Sequence, residues 1–479
     1  LGRIVDALRD AGLLVTAPSA LPPISGLTAD SRDVRAGMLF CALRGSAQDG
    51  HAFAAAAAAA GAAALLVETP QSVTVPQVVV KDGRRAAVVA AGAWFDWPGK
   101  KLDLIGVTGT NGKTTTVTLA RHVLSVLEPT ASIGTLGAFD PAGAAVPSDA
   151  GNLTTPGPIG LQATLAALVA RGARAAALEV SSHSLDQGRV DGLSFRAAIF
   201  TNLTRDHLDY HKTLDDYFQA KAKLVGYVAP DGLEVVNADD PAWQRLRRGH
   251  RRITFGETNG DVRAQRIETD AQGARFELRT PVGTAPVRLP LLGRFNVANA
   301  TGVAACAWGL GITPDQIAER LGSAPQVPGR MERLATKPAT VLRDYAHTPD
   351  ALQRALEALR PLTAGKLIVV FGAGGDRDRG KRAPMGEIAA RLADIAVVTS
   401  DNPRTEDPER IVQEIESGMH GKAHERVVDR RQAISRALTL AQSGDTVLLA
   451  GKGHETYQVI GKEKQPFDER LVVRELGAT

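Results

Sequence analysis

Residues 104–120 read LIGVTGTNGKTTTVTLA. An apolar strand runs into Gly109-Thr110-Asn111-Gly112-Lys113-Thr114, and a helix follows from Thr115 on. Glycines let backbone N–H groups turn inward around phosphate oxygens, and a helix N-terminus adds partial positive charge. Lys113 is spaced to reach β- and γ-phosphates and Thr114 to hold Mg²⁺, so the stretch predicts a bound nucleoside triphosphate. The strict pattern G-x-x-x-x-G-K-[ST] misses by one place, because Val107 stands where its first glycine belongs. The alternative is a glycine-rich turn with a chance Lys-Thr.

Two further apolar runs end in groups that suit a phosphate site. AAALEVSSHSLDQGRV (175–190) predicts a strand ending at Glu179, a carboxylate placed for a metal beside a phosphate loop. AAIFTNLTRDHLDYHKT (197–213) predicts a strand that ends in a polar cluster with Asp206 and His207. Taken singly, Glu179 reads equally as a helix cap and His207 as a loop histidine. Together, at the C-terminal ends of strands in one sheet, they converge where α/β proteins bind ligands. A third stretch, SDNPRTEDP (400–408), sets Arg404 on a rigid Asn-Pro corner among carboxylates. It suits a partner carrying both signs of charge. Its structural alternative is a turn before a helix whose dipole Asp407 and Glu409 complement.

Positioning these groups needs a large α/β scaffold. The chain has 479 residues, room for about three domains at ~150 residues each. Residues 1–99 alternate short strands and helices up to the turn cluster DWPGK. Residues 100–330 open with LDLIGVTG and close near PQVPGR. From 331 to 479, TVLRDYAH, KLIVVFGA, DIAVVTSD and DTVLLAGKG read as strands with helices between, the pattern of parallel βαβ sheets. Residues 261–295 alternate with period two around glycine turns and predict β-hairpins on the flank of the central part. The alanine tract at 52–68 reads as a helix ended by Gly61, then a strand; it lies too deep in the chain for a signal peptide.

Composition excludes other classes. The net charge of +4 is small for this length, and RLRRGHRR (245–252) lacks the aromatic interleaving of a nucleic-acid surface, so it reads as solvated. Cys41 and Cys306 give neither a disulfide framework nor a zinc spacing, which fits a reducing, cytoplasmic setting. No run of about 18 apolar residues predicts a membrane span. The chain starts at Leu1, and residues are expected to precede it. A nucleotide switch would need a partner-sensing element or a guanine-reading N-K-x-D, and neither is present.

In order along the chain, GVTGTNGKTTT, EVSSHSLDQGRV, NLTRDHLDYH, GRFNVANA, PGRME, DYAHTPDAL, GAGGDRDRGKR, DNPR and GKGHETYQ resemble the Mur ligase family over all three parts. The resemblance implies an N-terminal UDP-substrate domain, a central P-loop ATPase domain and a C-terminal Rossmann-like domain. It implies ATP-dependent amide formation through an acyl-phosphate, as a cytoplasmic monomer in peptidoglycan precursor synthesis. The DNPR motif implies meso-diaminopimelate as the amino acid and UDP-N-acetylmuramoyl-L-alanyl-D-glutamate as its acceptor. A lysine-adding member of the family and a folylpolyglutamate synthase-like ligase are the alternatives.

Site roles follow from the same resemblance. Thr114 and Glu179 face one Mg²⁺; Glu179, His207 and a CO₂-derived carbamate on Lys221 face a second. Lys221 itself, in DDYFQAKAKLVG, reads from sequence as a helix-surface lysine, and the family's K-x-x-L spacing to Leu224 selects it over Lys223. ATP is expected on 109–115, with Asn296, Asn299, Arg330 and Asp344 beyond it; Asn296 and Asn299 read otherwise as helix caps. The UDP-substrate is expected on Ser31, on Ser46, Ala47 and Gln48, on Asn152, Thr154 and Thr155, and on Ser181, Gln187 and Arg189. Diaminopimelate is lysine with a second carboxylate. Arg404 would take that carboxylate, Asp401 and Asn402 the neighbouring ammonium, Pro403 would stiffen the corner, and Arg377, Gly451 and Glu455 complete the set.

Overall fold

The apolar runs become buried strands, and register places their ends together. The computed structural model describes residues 1–45, 48–147 and 153–479. Asp103–Thr108 lies between Ala175–Glu179 and Phe195–Phe200, parallel to both. Val107 pairs with Glu179 on one side and Ile199 on the other, so all three strands end at one edge. A central parallel strand is covered on both faces, which is why these runs are uninterruptedly apolar.

Two compact units result: Leu1–Arg263 with Leu278–Thr284 and Asn299–Ile317, and Ala264–Glu277 with Ala285–Ala298 and Ala318–Thr479. The first unit carries a small sheet in the order Leu14–Thr16, Gln77–Val80, Ala64–Val67, Met38–Cys41, Gly26–Thr28, parallel except for its first pair. The alanine tract gives the helix Ala54–Ala59 and the strand Ala64–Val67, with Gly61 at φ 93° between them. That left-handed residue ends the helix at little cost because it has no Cβ. The larger sheet continues from the three central strands through Val228–Asn237 to Arg251–Gly256 on one side. On the other it runs through Thr130–Gly134 into the antiparallel Gly137–Phe139 and Ala145–Val146. The hairpin strands expected from 261–295 form as Val262–Asp270, Gly273–Thr280 and Gly283–Leu289.

The basic run at 245–252 is less solvated than its composition predicts. Arg252 Nε donates to Glu234 Oε2 at 2.7 Å, and the His250 backbone N–H donates to Glu234 Oε1 at 3.0 Å. Glu234 is fully buried, so Arg252 neutralises a core carboxylate that the His250 N–H also bonds, while Arg247 and Arg248 stay exposed. Among the described residues, no helix is long and apolar enough to cross a membrane.

The second unit holds the sheet Glu332–Ala335, Thr340–Asp344, Thr446–Ala450, Leu367–Phe371, Ile395–Val398, Glu425–Arg426, parallel except for its first pair. The end of its strand Thr446–Ala450 is tied by a buried ion pair. Arg430 and Glu469 have no exposed side-chain surface, and Arg430 Nη2 lies 2.7 Å from Glu469 Oε1. The same nitrogen donates to Ala450 O at 2.9 Å, the residue before Gly451. Glu469 Oε2 is buried without a hydrogen-bond partner, so this carboxylate depends on its arginine. Arg430→Ala is expected to cost about 3–5 kcal/mol, because it strands a buried charge. Arg430→Met combined with Glu469→Leu is expected to lose much less. Denaturant midpoints of the two variants check this.

Candidate active site

The phosphate loop is shaped by close packing at its glycines. Gly109 has φ 150°, and a Cβ there would sit 1.9 Å from Thr201 Oγ1. Gly112, at φ 87°, precedes the helix Lys113–Leu124, and its Cβ would fall 2.3 Å from Asn299 Oδ1. The missing first glycine has a plain reason: Val107 is a buried residue inside the strand, and the loop begins only at Gly109. Residues past the neighbouring strand hold the loop. Asn202 O accepts from Thr110 N at 2.7 Å, Asn202 Oδ1 from Asn111 N at 2.9 Å, and Thr201 Oγ1 donates to Asn111 O at 2.8 Å. Sequence reasoning did not single out Thr201 or Asn202, although both stand in the polar end of the third apolar run. Lys113 Nζ donates to Gly109 O and Thr110 O, each at 2.8 Å, so its charge is held over the loop.

Lys221 corrects the sequence reading most sharply. It is 1% exposed, not a surface lysine. On the helix Leu214–Ala222 it shares a buried face with Tyr217, four residues earlier, and its Nζ lies 4.5 Å from that ring's centre. Nζ donates to Gly109 O at 2.8 Å, the same carbonyl that Lys113 engages. Burial first, and then the charge of Lys113, hold its pKa well below the usual lysine value, against a weaker pull from Asp206. Lys223, its sequence rival, is half exposed and pairs with Asp186 at 2.8 Å.

Glu179 is 1% exposed and caps no helix. Its Oε1 accepts from Thr135 N at 2.8 Å, and its Oε2 from Thr135 Oγ1 at 3.1 Å. Gly134 leaves room for it, since a Cβ there would lie 2.2 Å from Oε1. The cap of the next helix, Ser182–Asp186, is Ser181, whose Oγ accepts from Ser184 N. His207, at φ 52°, enters a ring cluster: its centroid is 4.9 Å from that of His183, which in turn lies 5.4 Å from that of His211. His183 and His211 were visible only as polar letters in the quoted motifs. Among the described residues, no three His, Cys, Asp or Glu converge as a metal cage.

Of the residues expected at the UDP-substrate, Thr155, Ser181, Gln187 and Arg189 form one hydrogen-bonded group. Thr155 Oγ1 donates to Glu179 O at 2.8 Å and Ser181 N donates to Thr155 Oγ1 at 3.1 Å. Arg189 Nη1 donates to Thr155 O at 3.0 Å, and its Nη2 to Gln187 Oε1 at 2.6 Å. Among the described residues, no carboxylate pairs with this half-buried guanidinium, and burial pulls its pKa down. A desolvated cation without an acid suits an anionic ligand. Thr154 meets Thr135 at 3.3 Å. Ser31 opens the short 3-10 helix Ser31–Asp33, and Gln48 lies on the loop after the strand Met38–Cys41. Ser46, Ala47 and Asn152 lie outside the described residues.

In the second unit, Asp344 ends its strand and accepts from Met331 N at 2.7 Å. Burial of that carboxyl raises its pKa, against the pull of Arg330, which stacks 4.7 Å from the Tyr345 ring centre. Asn296 and Asn299 are no caps: both are buried inside the helix Arg294–Gly309. The DNPR corner is laced to two other loops. Arg404 takes φ 51°, its N–H donates to Val459 O at 3.0 Å, and Nη1 donates to Gly375 O at 2.8 Å. Gly375 N donates to Asn402 O at 2.9 Å, and a Cβ on Gly375 would meet Pro403 O at 1.9 Å. A Cβ on Gly451 would lie 2.3 Å from Asp401 Oδ2, and Asn402 Nδ2 donates to Glu455 Oε2 at 2.9 Å.

Arg377 is exposed on the loop after Gly375. Sequence reasoning missed what braces that loop: Arg382 has no exposed side-chain surface and pairs with Glu406 at 3.0 Å. The Arg382 guanidinium above all, against a burial cost, brings the Glu406 carboxyl down to about 2, and Glu406 Oε1 accepts from Asp376 N at 2.5 Å. At the far end of the stretch, Asp407 does cap the helix Pro408–Glu416, so the structural alternative also holds there.

Comparison with known proteins agrees with this layout. Residues 23–93 match the Mur ligase family catalytic domain, 107–307 the Mur ligase middle domain, and 329–453 the Mur ligase glutamate ligase domain. The UDP-N-acetylmuramoyl-L-alanyl-D-glutamate–2,6-diaminopimelate ligase of Gloeobacter violaceus is 45% identical over 460 residues, covering 94% of this chain and 93% of that one. The protein of the same name from Thermosynechococcus vestitus is 45% identical over 95% of this chain and 94% of its own. A solved structure of a ligase of that name superposes with a TM-score of 0.65 at 36% identity, covering 96% of each chain. A Mycobacterium tuberculosis folylpolyglutamate synthase shares the fold, with a TM-score of 0.64 at 18% identity over 76% of this chain and 92% of its own. Three domain matches in order, and relatives of such identity along nearly the whole chain, make this protein a member of the Mur ligase family.

Proposed function

We propose that the protein joins meso-diaminopimelate to UDP-N-acetylmuramoyl-L-alanyl-D-glutamate at the expense of ATP, releasing ADP and phosphate. It acts as a cytoplasmic monomer in peptidoglycan precursor synthesis. The relatives that carry this name support the reaction. The observation that carries the choice of amino acid is the stiff corner at Arg404, whose guanidinium is pinned to Gly375 O while the neighbouring Asn402 donates to Glu455. The proposed division of labour gives residues 1–99 the UDP end, 100–330 ATP, and 331–479 the amino acid.

The D-glutamate side-chain carboxylate attacks the γ-phosphorus, the bond to the β-phosphate oxygen breaks, and an acyl-phosphate forms. The diaminopimelate amine then adds to that carbonyl, loses a proton, and phosphate leaves. Two anions must meet in the first step, so positioning and charge neutralisation dominate its cost. Lys113 and the loop amides at 109–115 take the phosphates, with Asn296, Asn299, Arg330 and Asp344 on the rest of the nucleotide. Arg189, with Gln187, Ser181, Thr155 and Thr154, holds the anionic acceptor.

The donor set suits Mg²⁺, a hard cation that binds a few protein oxygens and completes its shell from phosphate and water. Glu179 and Thr114 would hold one ion, Glu179, His207 and a carbamate on Lys221 a second, and the two would neutralise charge on the phosphates. Lys221 suits a carbamate, because burial beside Lys113 favours its neutral, CO₂-reactive amine. Phosphate release tests the reading: it is expected to require the UDP-dipeptide and diaminopimelate together. Release that is driven by nucleic acid, or by ATP alone, would contradict it.

A further inference from the structure

Lys452 has no exposed side-chain surface. Its Nζ lies 3.1 Å from Asn402 Oδ1 and 3.3 Å from Glu455 Oε2. The Tyr457 ring centre is 5.9 Å away, and His454, two residues on, is pushed down to about 4 by burial and, after that, by Arg330, Arg343 and Lys452. A buried ammonium is costly unless paired, and here it is spent on two residues of the DNPR corner and the loop that faces it.

The bonding leaves each partner one job. Asn402 Oδ1 accepts from Lys452 Nζ and from Val459 N, at 3.1 and 2.9 Å, which fills both of its lone pairs. Its Nδ2 donates to Glu455 Oε2 at 2.9 Å. The carboxamide is thus fixed in one orientation and has no acceptor left for a substrate ammonium. Glu455 Oε2 is taken by both neighbours, while Oε1 carries no hydrogen bond among the described residues. Asp401, 5% exposed, likewise has a carboxylate with no hydrogen-bond donor among them.

We propose that Lys452 is a positioning residue for amino-acid binding. It locks Asn402 and one oxygen of Glu455, so that the distal ammonium is received by Asp401 and the other oxygen of Glu455. Asn402 then acts as a strut rather than as a ligand. This rests on the amino-acid site proposed above.

Lys452→Met, of similar length without the charge, tests it. The KM for diaminopimelate is expected to rise about 10- to 100-fold, with the KM values for ATP and the UDP-dipeptide unchanged. Lysine carries the same distal ammonium, so preference for diaminopimelate over lysine, set by Arg404, is expected to stay near the wild-type value. Since Lys452 acts through Glu455, Lys452→Met with Glu455→Gln is expected to be no worse than Glu455→Gln alone. The double variant also removes the unpaired buried charge, so it serves if the single variant folds poorly. A wild-type amino-acid KM in Lys452→Met, or losses that multiply in the double variant, would overturn the proposal. If the wild type uses a different amino acid, the proposed function fails; the same coupling, read with that amino acid, still decides the role of Lys452.

Discussion

Lys221→Ala is expected to lower kcat about 100- to 1,000-fold, the size of effect seen when one preorganised electrostatic group is removed from a reacting centre. The side chain donates to Gly109 O, in the loop proposed to take the phosphates. If it carries a carbamate, a short carboxylic acid such as acetate should restore part of the activity, and ¹³C-labelled CO₂ should give a carbamate resonance in the wild type that the variant lacks. Full activity in Lys221→Ala together with no ¹³C label in the wild type would exclude the assignment. The depressed pKa adds a stability consequence. The folded state binds fewer protons than the unfolded state between the lowered pKa and the unfolded value near 10.5, so in CO₂-free buffer this residue makes stability rise with pH across that window. Lys221→Met should remove that slope and be more stable than wild type at neutral pH.

Arg404→Ala is expected to raise the KM for diaminopimelate about 100-fold or more and to leave that for ATP nearly unchanged. The guanidinium is presented by a left-handed backbone on a proline corner, pinned to Val459 and Gly375. Lysine lacks the second carboxylate and would leave that cation unanswered, and sites built on polar pairing reject such analogues by up to roughly 10,000-fold or more. Arg404→Lys should recover little, because an ammonium cannot reproduce the planar fork. Unchanged amino-acid kinetics in Arg404→Ala would remove Arg404 from the site.

The strands were legible because a parallel strand buried on both faces must be a continuous apolar run, and LIGVT, AAALE and LIVVF each are. The loop glycines were legible because only glycine fits where a Cβ would meet Thr201 or Asn299. Lys221 was not: its letter reads as surface, and its burial follows from packing against Gly109, 112 residues earlier in the chain. The same holds for Arg382 with Glu406, Arg430 with Glu469, and Lys452 with Asn402, buried charges whose partners are distant in sequence and leave no local spacing to read. For Asn296 and Asn299 a helix cap was the alternative to a nucleotide contact; neither precedes the helix, and Asn296, in its first turn, donates Nδ2 to Leu292 O at 2.8 Å.

Amide formation across a panel of amino acids, with ATP and UDP-N-acetylmuramoyl-L-alanyl-D-glutamate supplied, tests the central claim most directly. The expected result is stoichiometric ADP and phosphate with meso-diaminopimelate, and a kcat/KM for lysine lower by about 1,000-fold or more. Equal use of lysine, or ATP consumption without an amide product, would contradict it.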